Sequence, residues 1–422
     1  MPRFIYTAFF YCLLPVICLR LLWRAVKSPN YAKRWAERFG FVNDLDSNKE
    51  IIWLHAVSVG ETLAAVPLVN ALQEKYPDHR LMVTSMTPTG SERILAAFGD
   101  SVEHSYAPYD MPDAVARFLG RVRPKLLIIM ETELWPNTIA ACNKRDIPVI
   151  LANGRLSEKS ARAYQHISSL VRPMLHGLHT VAAQNNDDAQ RFQSLGLPDT
   201  AVTVTGNIKF DLKIDPSLMG TVEQLSKDWR GTTQRRVFLA ASTHKGEDEI
   251  ILAAFAEIKA QLESVLLVIV PRHPERFNQV ANLCKSAGFS IARRSENATV
   301  AEADILLGDS MGELMAFFGA CDLAFVGGSF VPTGGHNMIE PAAWGVPVLT
   351  GPHLFNFTGI AHLLTEAGGM KVCQDVDDLA NQSVMLLQDE THRIQMGEAA
   401  RHVAVANRGA LDRLLVIIAQ AI

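Results

Sequence analysis

The chain has 422 residues, of which 48% are hydrophobic and 20% charged, and its formal net charge is −4. This length allows two or three domains, and the near-balanced charge argues against a nucleic-acid-binding protein, because no strongly basic surface is expected. Six scattered cysteines without a C-x-x-C pair favour reduced thiols in a cytosolic compartment over a disulfide framework or a zinc site.

The N-terminal segment is apolar and aromatic over residues 4–19. Only Arg3 precedes this run, whereas six basic residues lie on its C-terminal side: Arg20, Arg24, Lys27, Lys33, Arg34 and Arg38. A spanning helix needs about 20 apolar residues, so this run is of borderline length, and the basic flank predicts that the rest of the chain is cytoplasmic. A spanning helix, an interfacial helix and a cleaved signal peptide are the alternatives. The flank and the lack of a small-residue cleavage site favour attachment over cleavage.

From residue 50 onward, apolar runs alternate with helical patterns. The first series predicts strands at 51–57, 80–87, 125–130 and 149–152, with helices at 61–76, 91–98 and 136–144. The second series, after a polar stretch at 211–234, predicts strands at 236–241, 265–270, 323–326 and 346–349, with helices at 247–261, 275–287 and 311–321. Such alternation predicts two Rossmann-like domains with parallel sheets, and a final helix at 397–422 that could pack on the first.

Neither domain opens with G-x-G-x-x-G, and the chain has no Walker A motif. This pattern weakens the interpretation as a dinucleotide-dependent oxidoreductase. Ligands of open parallel sheets bind beyond the carboxyl ends of the strands, so two such domains predict a cleft between them.

Three charged residues in the first series stand near strand ends. Glu61 starts a helix, either as a dipole-stabilising residue or as a general base whose pKa would need an apolar or carboxylate-rich setting. Glu131 ends an apolar strand together with Glu133, where a carboxylate is costly unless a ligand or cation pairs with it. Lys209 lies between two apolar residues and either extends to water or serves the site.

Further candidates follow strands of the second series. Arg272 and His273 end a strand before a helix, an arrangement that suits a phosphate, although a salt bridge is the alternative. Ser310 and Glu313 have the spacing of a helix capping box. No D-x-D motif lies at a useful strand end, so metal dependence is not supported.

The segment GGSFVPTGGHNMIEPAAWGVP at 327–347 combines a strand end, a glycine loop and a short helix carrying Asn337 and Glu340. Its backbone N–H groups are expected to approach a phosphate, and Glu340 is expected to accept hydrogen bonds from a ribose diol. The alternative is an ordinary strand–loop–helix turn.

Six motifs occur in order behind the apolar segment: HAVSVGE, METELWPN, GNIKFD, VPRHPERF, GDSMGEL and GGSFVPTGGHNMIEP. The set closely resembles the bacterial 3-deoxy-D-manno-octulosonic acid (Kdo) transferases, which are inverting glycosyltransferases of the GT-B fold. The resemblance covers essentially the whole chain. It implies two Rossmann-like domains facing across a cleft, with an anchor at 1–30, an acceptor domain at 31–215, a donor domain at 216–400 and a C-terminal helix at 401–422.

The resemblance also implies a function and a site. The donor is CMP-Kdo, the acceptor is the lipid A precursor lipid IVA at the cytoplasmic face of the inner membrane, and no metal or other cofactor is needed. Glu61 is the implied general base, and Glu131 and Lys209 stabilise the transition state. The implied CMP contacts are Pro271, Arg272, Met311, Gly312, Glu313, Asn337, Met338, Ile339 and Glu340.

Two rival functions remain at this stage. One is another membrane-associated GT-B transferase that uses a UDP-sugar. The other is an anchored two-lobed solute-binding protein, which would lie outside the cytoplasm, contrary to the charge asymmetry of the N-terminal segment.

Overall fold

The computed structural model describes residues 2–45, 49–262, 264–296 and 300–422. Contacts divide these residues into two compact units. The first contains the chain up to Asp211 together with Arg408–Ile422, and the second contains Leu212–Asn407. Within the described ranges, each unit is built around one parallel sheet of seven strands.

The strands of the first unit are β1 (Ile51–His55), β2 (Arg80–Ser85), β3 (Glu103–Tyr106), β4 (Pro124–Met130), β5 (Val149–Gly154), β6 (Thr180–Ala183) and β7 (Val202–Val204). Its helices are α1 (Arg3–Lys27), α2 (Trp35–Arg38), α3 (Val59–Lys75), α4 (Pro88–Phe98), α5 (Pro112–Val122), α6 (Pro136–Asn143), α7 (Glu158–His166), α8 (Ser168–Leu175) and α9 (Asn186–Ser194). The strand order is β3-β2-β1-β4-β5-β6-β7, so the topology switches between β1 and β4. Central strands are continuous apolar runs because helices cover both faces of the sheet.

The strands of the second unit are β8 (Arg236–Thr243), β9 (Val265–Pro271), β10 (Ile291–Arg293), β11 (Ile305–Leu307), β12 (Leu323–Val326), β13 (Val348–Thr350) and β14 (Met370–Val372). Its helices are α10 (Leu218–Arg230), α11 (Asp248–Gln261), α12 (Phe277–Ser286), α13 (Leu314–Ala320), α14 (Ile339–Ala343), α15 (Thr358–Glu366), α16 (Val376–Gln388) and α17 (Glu390–Ala406). The strand order is β10-β11-β9-β8-β12-β13-β14, which puts the topological switch between β8 and β12.

Short 3₁₀ helices complete the connections. They are Pro29–Ala32, Gly99–Ser101, Asp199–Ala201, Ile208–Asp211, Pro274–Arg276 and Arg294–Glu296. The segment Ile208–Asp211 matters for the site because it carries Lys209.

The prediction of one helix over 397–422 is wrong, because the chain ends in two helices, α17 and α18 (Ala410–Ala419). Gly409 stands between them with φ of 89°, and both oxygens of Asp211 accept backbone hydrogen bonds there, from Gly409 at 2.5 Å and Leu411 at 2.6 Å. Gly409 is the N-cap residue of α18, and the Asp211 carboxylate caps the start of that helix. The apolar face of α18 joins the core of the first unit.

Helix α1 is long and apolar enough to cross a membrane by length and composition alone, a test that signal sequences near an N-terminus also pass. Within the apolar span Arg3–Val26, few side chains are buried by the rest of the structure. One face packs on the first unit through Leu21, which joins a small cluster with Tyr109 and Met111.

Candidate active site

Glu61 and Glu131 follow β1 and β4, the two neighbouring strands at the topological switch of the first unit. Ser58 caps α3 and accepts a hydrogen bond from the Glu61 backbone N–H at 3.3 Å. In return, the Glu61 carboxylate accepts from the Val57 N–H at 2.7 Å and the Ser58 hydroxyl at 3.1 Å. These reciprocal hydrogen bonds fix the carboxylate, yet they use only two of its approximately four lone-pair positions.

The pKa of Glu61 is raised to about 7, chiefly because the buried carboxyl is desolvated. The Val57 and Ser58 hydrogen bonds oppose this rise, while the negative charges of Glu133 and Glu131 add to it. Desolvation also raises the pKa of Glu133. A carboxylate with a pKa near neutrality is suited to general-base catalysis, and burial beside Glu131 and Glu133 gives Glu61 the setting that such a base needs.

Glu131 is buried, and two cations face its carboxylate. Nε of Arg155 lies 2.8 Å from one oxygen, and Nζ of Lys209 lies 2.9 Å from the other. The Glu131 backbone is left-handed, with φ of 55°, which a residue without glycine's freedom adopts only when its surroundings hold it. Two basic side chains thus flank one buried carboxylate.

Side chains at the carboxyl ends of β5 and β6 hold the segment that carries Lys209. Asn153, which is fully buried with φ of 54°, accepts a hydrogen bond from the Ile208 N–H at 3.1 Å. Asn207 donates to Gln184 at 3.1 Å and accepts from the Lys209 N–H at 3.0 Å. These bonds hold the backbone N–H groups of Ile208 and Lys209 in place, so the Lys209 ammonium reaches Glu131 from a fixed backbone.

In the second unit, residues at the carboxyl ends of β9, β8 and β12 meet. The rings of His244 and His336 stack with centroids 5.0 Å apart, and their Nε2 atoms lie 2.8 Å from each other. Desolvation lowers the pKa of His336 to about 3, and the charges of Arg272, His244 and His273 add to the shift. Since an N–H···N bond needs one proton between the rings, this pair is neutral or singly charged.

Glu340 lies in the first turn of α14, and Asn337 donates to it at 3.1 Å. Desolvation raises the pKa of Glu340, although Asn337 and the charge of Arg272 oppose the rise. Met338 and Ile339 are fully buried, so their side chains belong to the core and a ligand could meet only their backbone. Pro271 is also buried and pairs with Thr243 across β9 and β8.

The glycine loop after β12 is organised by Glu247, a fully buried carboxylate at the start of α11. It accepts four backbone hydrogen bonds: from His244 at 2.9 Å, Gly328 at 2.7 Å, Ser329 at 2.8 Å and Phe330 at 2.8 Å. The expectation that these loop N–H groups hold a phosphate is therefore wrong for Gly328–Phe330, because a protein carboxylate already occupies them. A Cβ at Gly327 would lie 2.6 Å from the Ser242 carbonyl oxygen, so the close approach requires glycine.

The predicted capping box at Ser310 is also wrong. Helix α13 begins at Leu314, with Glu313 at its N-cap position, and the Ser310 hydroxyl donates to the Glu313 side chain. Arg294 forms a forked ion pair with the same carboxylate at 2.7 to 3.2 Å, and this pairing lowers the pKa of Glu313. Met311 is exposed and Gly312 is open to solvent, so this segment has accessible surface beside a carboxylate that already has partners.

The structure thus brings Glu61, Glu131 and Lys209 together in the first unit, and Arg272 and Glu340 together in the second. Sequence reasoning missed Arg155 and the role of Glu247. Arg155 comes directly after Gly154 at the end of an apolar strand, the position that drew attention to Arg272, so the same signal was present. Glu247 repeats the strand–glycine–Glu order of Glu61, but its long-range partners leave no local trace. Among the described residues, no group of three or more His, Cys, Asp or Glu side chains is arranged to hold a metal ion.

Comparison with known proteins identifies relatives along the whole chain. A family model described as 3-deoxy-D-manno-octulosonic-acid transferase (kdotransferase) matches residues 33–212. The chain is 45% identical over 418 residues to a 3-deoxy-D-manno-octulosonic acid transferase of Haemophilus influenzae, covering 98% of this chain and 97% of that protein. It is 38% identical over 374 residues to the corresponding transferase of Bordetella pertussis, covering 86% of each.

Solved structures resemble the fold at low sequence identity. A UDP co-structure of Staphylococcus aureus MnaA matches with a TM-score of 0.59 at 17% identity, covering 87% of this chain and 96% of that one. MurG of Acinetobacter baumannii matches with a TM-score of 0.56 at 13% identity, covering 88% and 99%. With the two Rossmann-like units, these likenesses confirm the predicted GT-B type of fold.

Proposed function

This chain belongs to the 3-deoxy-D-manno-octulosonic acid (Kdo) transferase family, and we propose that it moves Kdo from CMP-Kdo to the lipid A precursor lipid IVA with inversion at the anomeric carbon. In this proposal, residues 31–215 form the acceptor domain and residues 216–400 the donor domain. The reaction is a step in the biosynthesis of the lipopolysaccharide inner core.

The buried carboxyl of Glu61 is the feature that supports this proposal most directly. Its buried carboxyl, with a pKa of about 7, exists in both protonation states near neutral pH. A base of this kind takes the proton of the acceptor hydroxyl as that oxygen bonds to the anomeric carbon of Kdo. The bond between that carbon and the CMP phosphate oxygen breaks, and its electron pair leaves with CMP.

Glu131 and Lys209 stabilise the transition state in this scheme. Positive charge develops on the sugar ring while negative charge grows on the leaving phosphate, so the site must serve both signs. Glu131 supplies a fixed carboxylate, and Lys209, 2.9 Å away, supplies a fixed cation. Groups already held in place lose nothing to reorganisation when the charge develops.

Arg272, Asn337 and Glu340 are the core of the proposed CMP site, with Pro271, Met311, Gly312, Glu313, Met338 and Ile339 beside them. Arg272 pairs with the phosphate, and Glu340 accepts hydrogen bonds from the ribose hydroxyls. The charge of Arg272 already acts on the pKa of Glu340, which supports one shared site. A single phosphate met by arginine needs no bridging cation, so we expect transfer without a metal ion or other cofactor.

The acceptor is a membrane lipid, so the enzyme is expected to work at the cytoplasmic face of the bacterial inner membrane. Helix α1 supports this location, since its length and composition allow contact with a bilayer. Attachment brings the enzyme to the surface where its acceptor is concentrated.

A direct assay tests the proposal. The purified chain is incubated with lipid IVA and with CMP-Kdo generated in situ, in the presence and absence of EDTA. The mass of the lipid product is then measured by mass spectrometry. We expect a mass increase of one or more Kdo residues in both conditions. No product with CMP-Kdo, together with thermal protection by UDP but not by CMP, would favour a UDP-sugar transferase instead.

A further inference from the structure

Helix α1 is bound to the folded first unit by side-chain hydrogen bonds in its N-terminal turns. The Asn137 amide donates a hydrogen bond to the Thr7 hydroxyl at 3.0 Å, and this hydroxyl donates to the Asn137 amide oxygen at 3.1 Å. The Tyr11 hydroxyl donates to Asp113 at 2.5 Å. Asn137 lies in the first turn of α6 and Asp113 in the first turn of α5. The beginning of α1 is thus held against the first turns of α5 and α6.

The same face of α1 continues this packing toward its C-terminus. Phe10 meets the ring of Tyr109 at 6.4 Å between centroids, and Leu21 is buried against Tyr109 and Met111. Contact positions 7, 10, 14, 17 and 21 recur at spacings of three and four, which is one stripe along a helix. The docking therefore runs over about four turns.

The opposite face of α1 is apolar and exposed. It carries these large side chains: Phe4, Phe9, Val16, Leu19, Leu22, Trp23 and Val26. Arg20 is exposed near the end of this face. A broad apolar surface of this kind with a neighbouring cation fits a membrane surface rather than water.

A spanning orientation conflicts with the neighbours of α1. Arg3, Thr7 and Tyr11 line one groove of about 1060 Å³ together with Lys144 and Arg145, both of which are exposed. If α1 crossed the hydrocarbon core, about 30 Å thick, these charged side chains and the helix ends that bear them would enter lipid with it. Their cations are instead suited to anionic headgroups beside the helix.

We propose that α1 lies in the plane of the membrane surface, with its Thr7–Leu21 stripe on the first unit and its Phe4–Val26 face in lipid, and does not cross the bilayer. The N-terminus then stays on the same side as both units. This inference rests on the membrane attachment in the proposed function, but not on the identity of donor or acceptor. It also places the bilayer beside α6, whose Asn137 follows Glu131 by six residues.

Topology is tested with a single reactive thiol at the N-terminus. Arg3→Cys is placed in a chain with Cys12→Ser and Cys18→Ser, because the other four cysteines are buried. Right-side-out and inverted membrane vesicles are treated with a membrane-impermeant maleimide, and the intact mass of the protein is measured. We expect modification only in inverted vesicles. Modification in right-side-out vesicles, or a mass showing removal of the N-terminal segment, overturns the proposal.

Docking is tested by oxidative cross-linking in membranes. In the same cysteine background, Thr7→Cys with Asn137→Cys is compared with the matched control Phe9→Cys with Asn137→Cys, since Phe9 faces the other way. We expect a disulfide in the first pair only. Equal cross-linking of both pairs, or none in a first-pair protein that unfolds at the wild-type temperature, contradicts the docked helix. Both readouts are independent of Kdo transfer, so a failed activity assay with this topology intact refutes only the proposed function.

Discussion

Nε of Arg155 lies 2.8 Å from the buried carboxylate of Glu131, on the oxygen that does not face Lys209. One carboxylate between two cations means that neither cation is fully neutralised. The charge of Glu131 also raises the pKa of Glu61, so a change in the cations around Glu131 should change the pKa of the proposed base. We therefore expect Arg155 to position Glu131 and, through Glu131, to influence the pKa of Glu61.

Arg155→Gln should therefore displace the pH dependence of transfer. With one cation removed, Glu131 acts more strongly on Glu61, and the pH at which kcat/KM reaches half its maximum should move above 7. If the midpoint moves up by about one pH unit, the deprotonated fraction of Glu61 falls roughly tenfold at a pH well below the midpoint. Arg155→Lys should restore most of the profile.

The matched control for this change is Arg162→Gln, which removes an exposed arginine paired with Glu158 on α7. Its pH profile should equal that of the wild type. A lower rate at every pH without displacement in Arg155→Gln would show that Arg155 is only structural.

Glu61→Gln should abolish transfer while CMP still raises the melting temperature.

Glu61→Gln should also lose less stability than the wild type as pH rises. The folded pKa of Glu61 is raised to about 7, so the contribution of this carboxyl to stability is full below its ordinary value and is lost as pH rises through 7. The wild type should lose up to roughly 3 kcal/mol from this group between pH 5 and pH 8, and the variant should not.

Urea unfolding at the two pH values measures this difference. Glu74→Gln, an exposed change on the same helix α3, is the control and should keep the wild-type pH dependence. Equal losses of stability in wild type and Glu61→Gln would argue against a raised pKa, and near-normal turnover of the variant would remove Glu61 as the base.

Glu247→Gln should weaken both folding and CMP binding. The amide has one acceptor oxygen in place of two, so buried N–H groups of the 328–330 loop lose a charged partner at a cost of about 3 kcal/mol. Calorimetric titration with CMP and a thermal melt check the two effects. Glu249→Gln, two residues along and exposed, should leave both unchanged. Unaltered stability of Glu247→Gln would mean that the loop does not depend on this carboxylate.

Arg272→Ala should reduce CMP affinity, whereas Arg276→Ala should reduce thermal stability. Arg272→Ala should weaken CMP binding by about 2 kcal/mol, or roughly 30-fold in Kd, with little change in Tm. Arg276 donates to the Thr243 carbonyl at 2.9 Å and pairs with buried Asp248, so Arg276→Ala should lower Tm first. Titration of folded protein with CMP distinguishes them, and an unchanged CMP affinity in Arg272→Ala would exclude its proposed role.

Much of the fold could be predicted from local pattern. The runs at 51–57 and 125–130 are confirmed as strands β1 and β4, because a parallel strand covered on both faces must be apolar throughout. Glu61 and Glu131 could be predicted for a related reason: a carboxylate in the segment that follows such a strand stands at the edge where ligands of these sheets bind. Their closeness depends on the pairing of β1 with β4, which the tertiary structure shows.

What the sequence by itself determined was therefore the alternation of strands and helices, the apolar N-terminal helix and the strand ends where charged residues collect, since each depends on residues that are close together in the chain. Only the tertiary structure decided that Glu247 takes the N–H groups of a loop 81 to 83 residues away, that Asp211 caps a helix 198 residues later, and that Arg155 flanks Glu131. A buried charge selects its partner by distance in space and by the cost of remaining unpaired, and neither quantity is written in the spacing of residues along the chain.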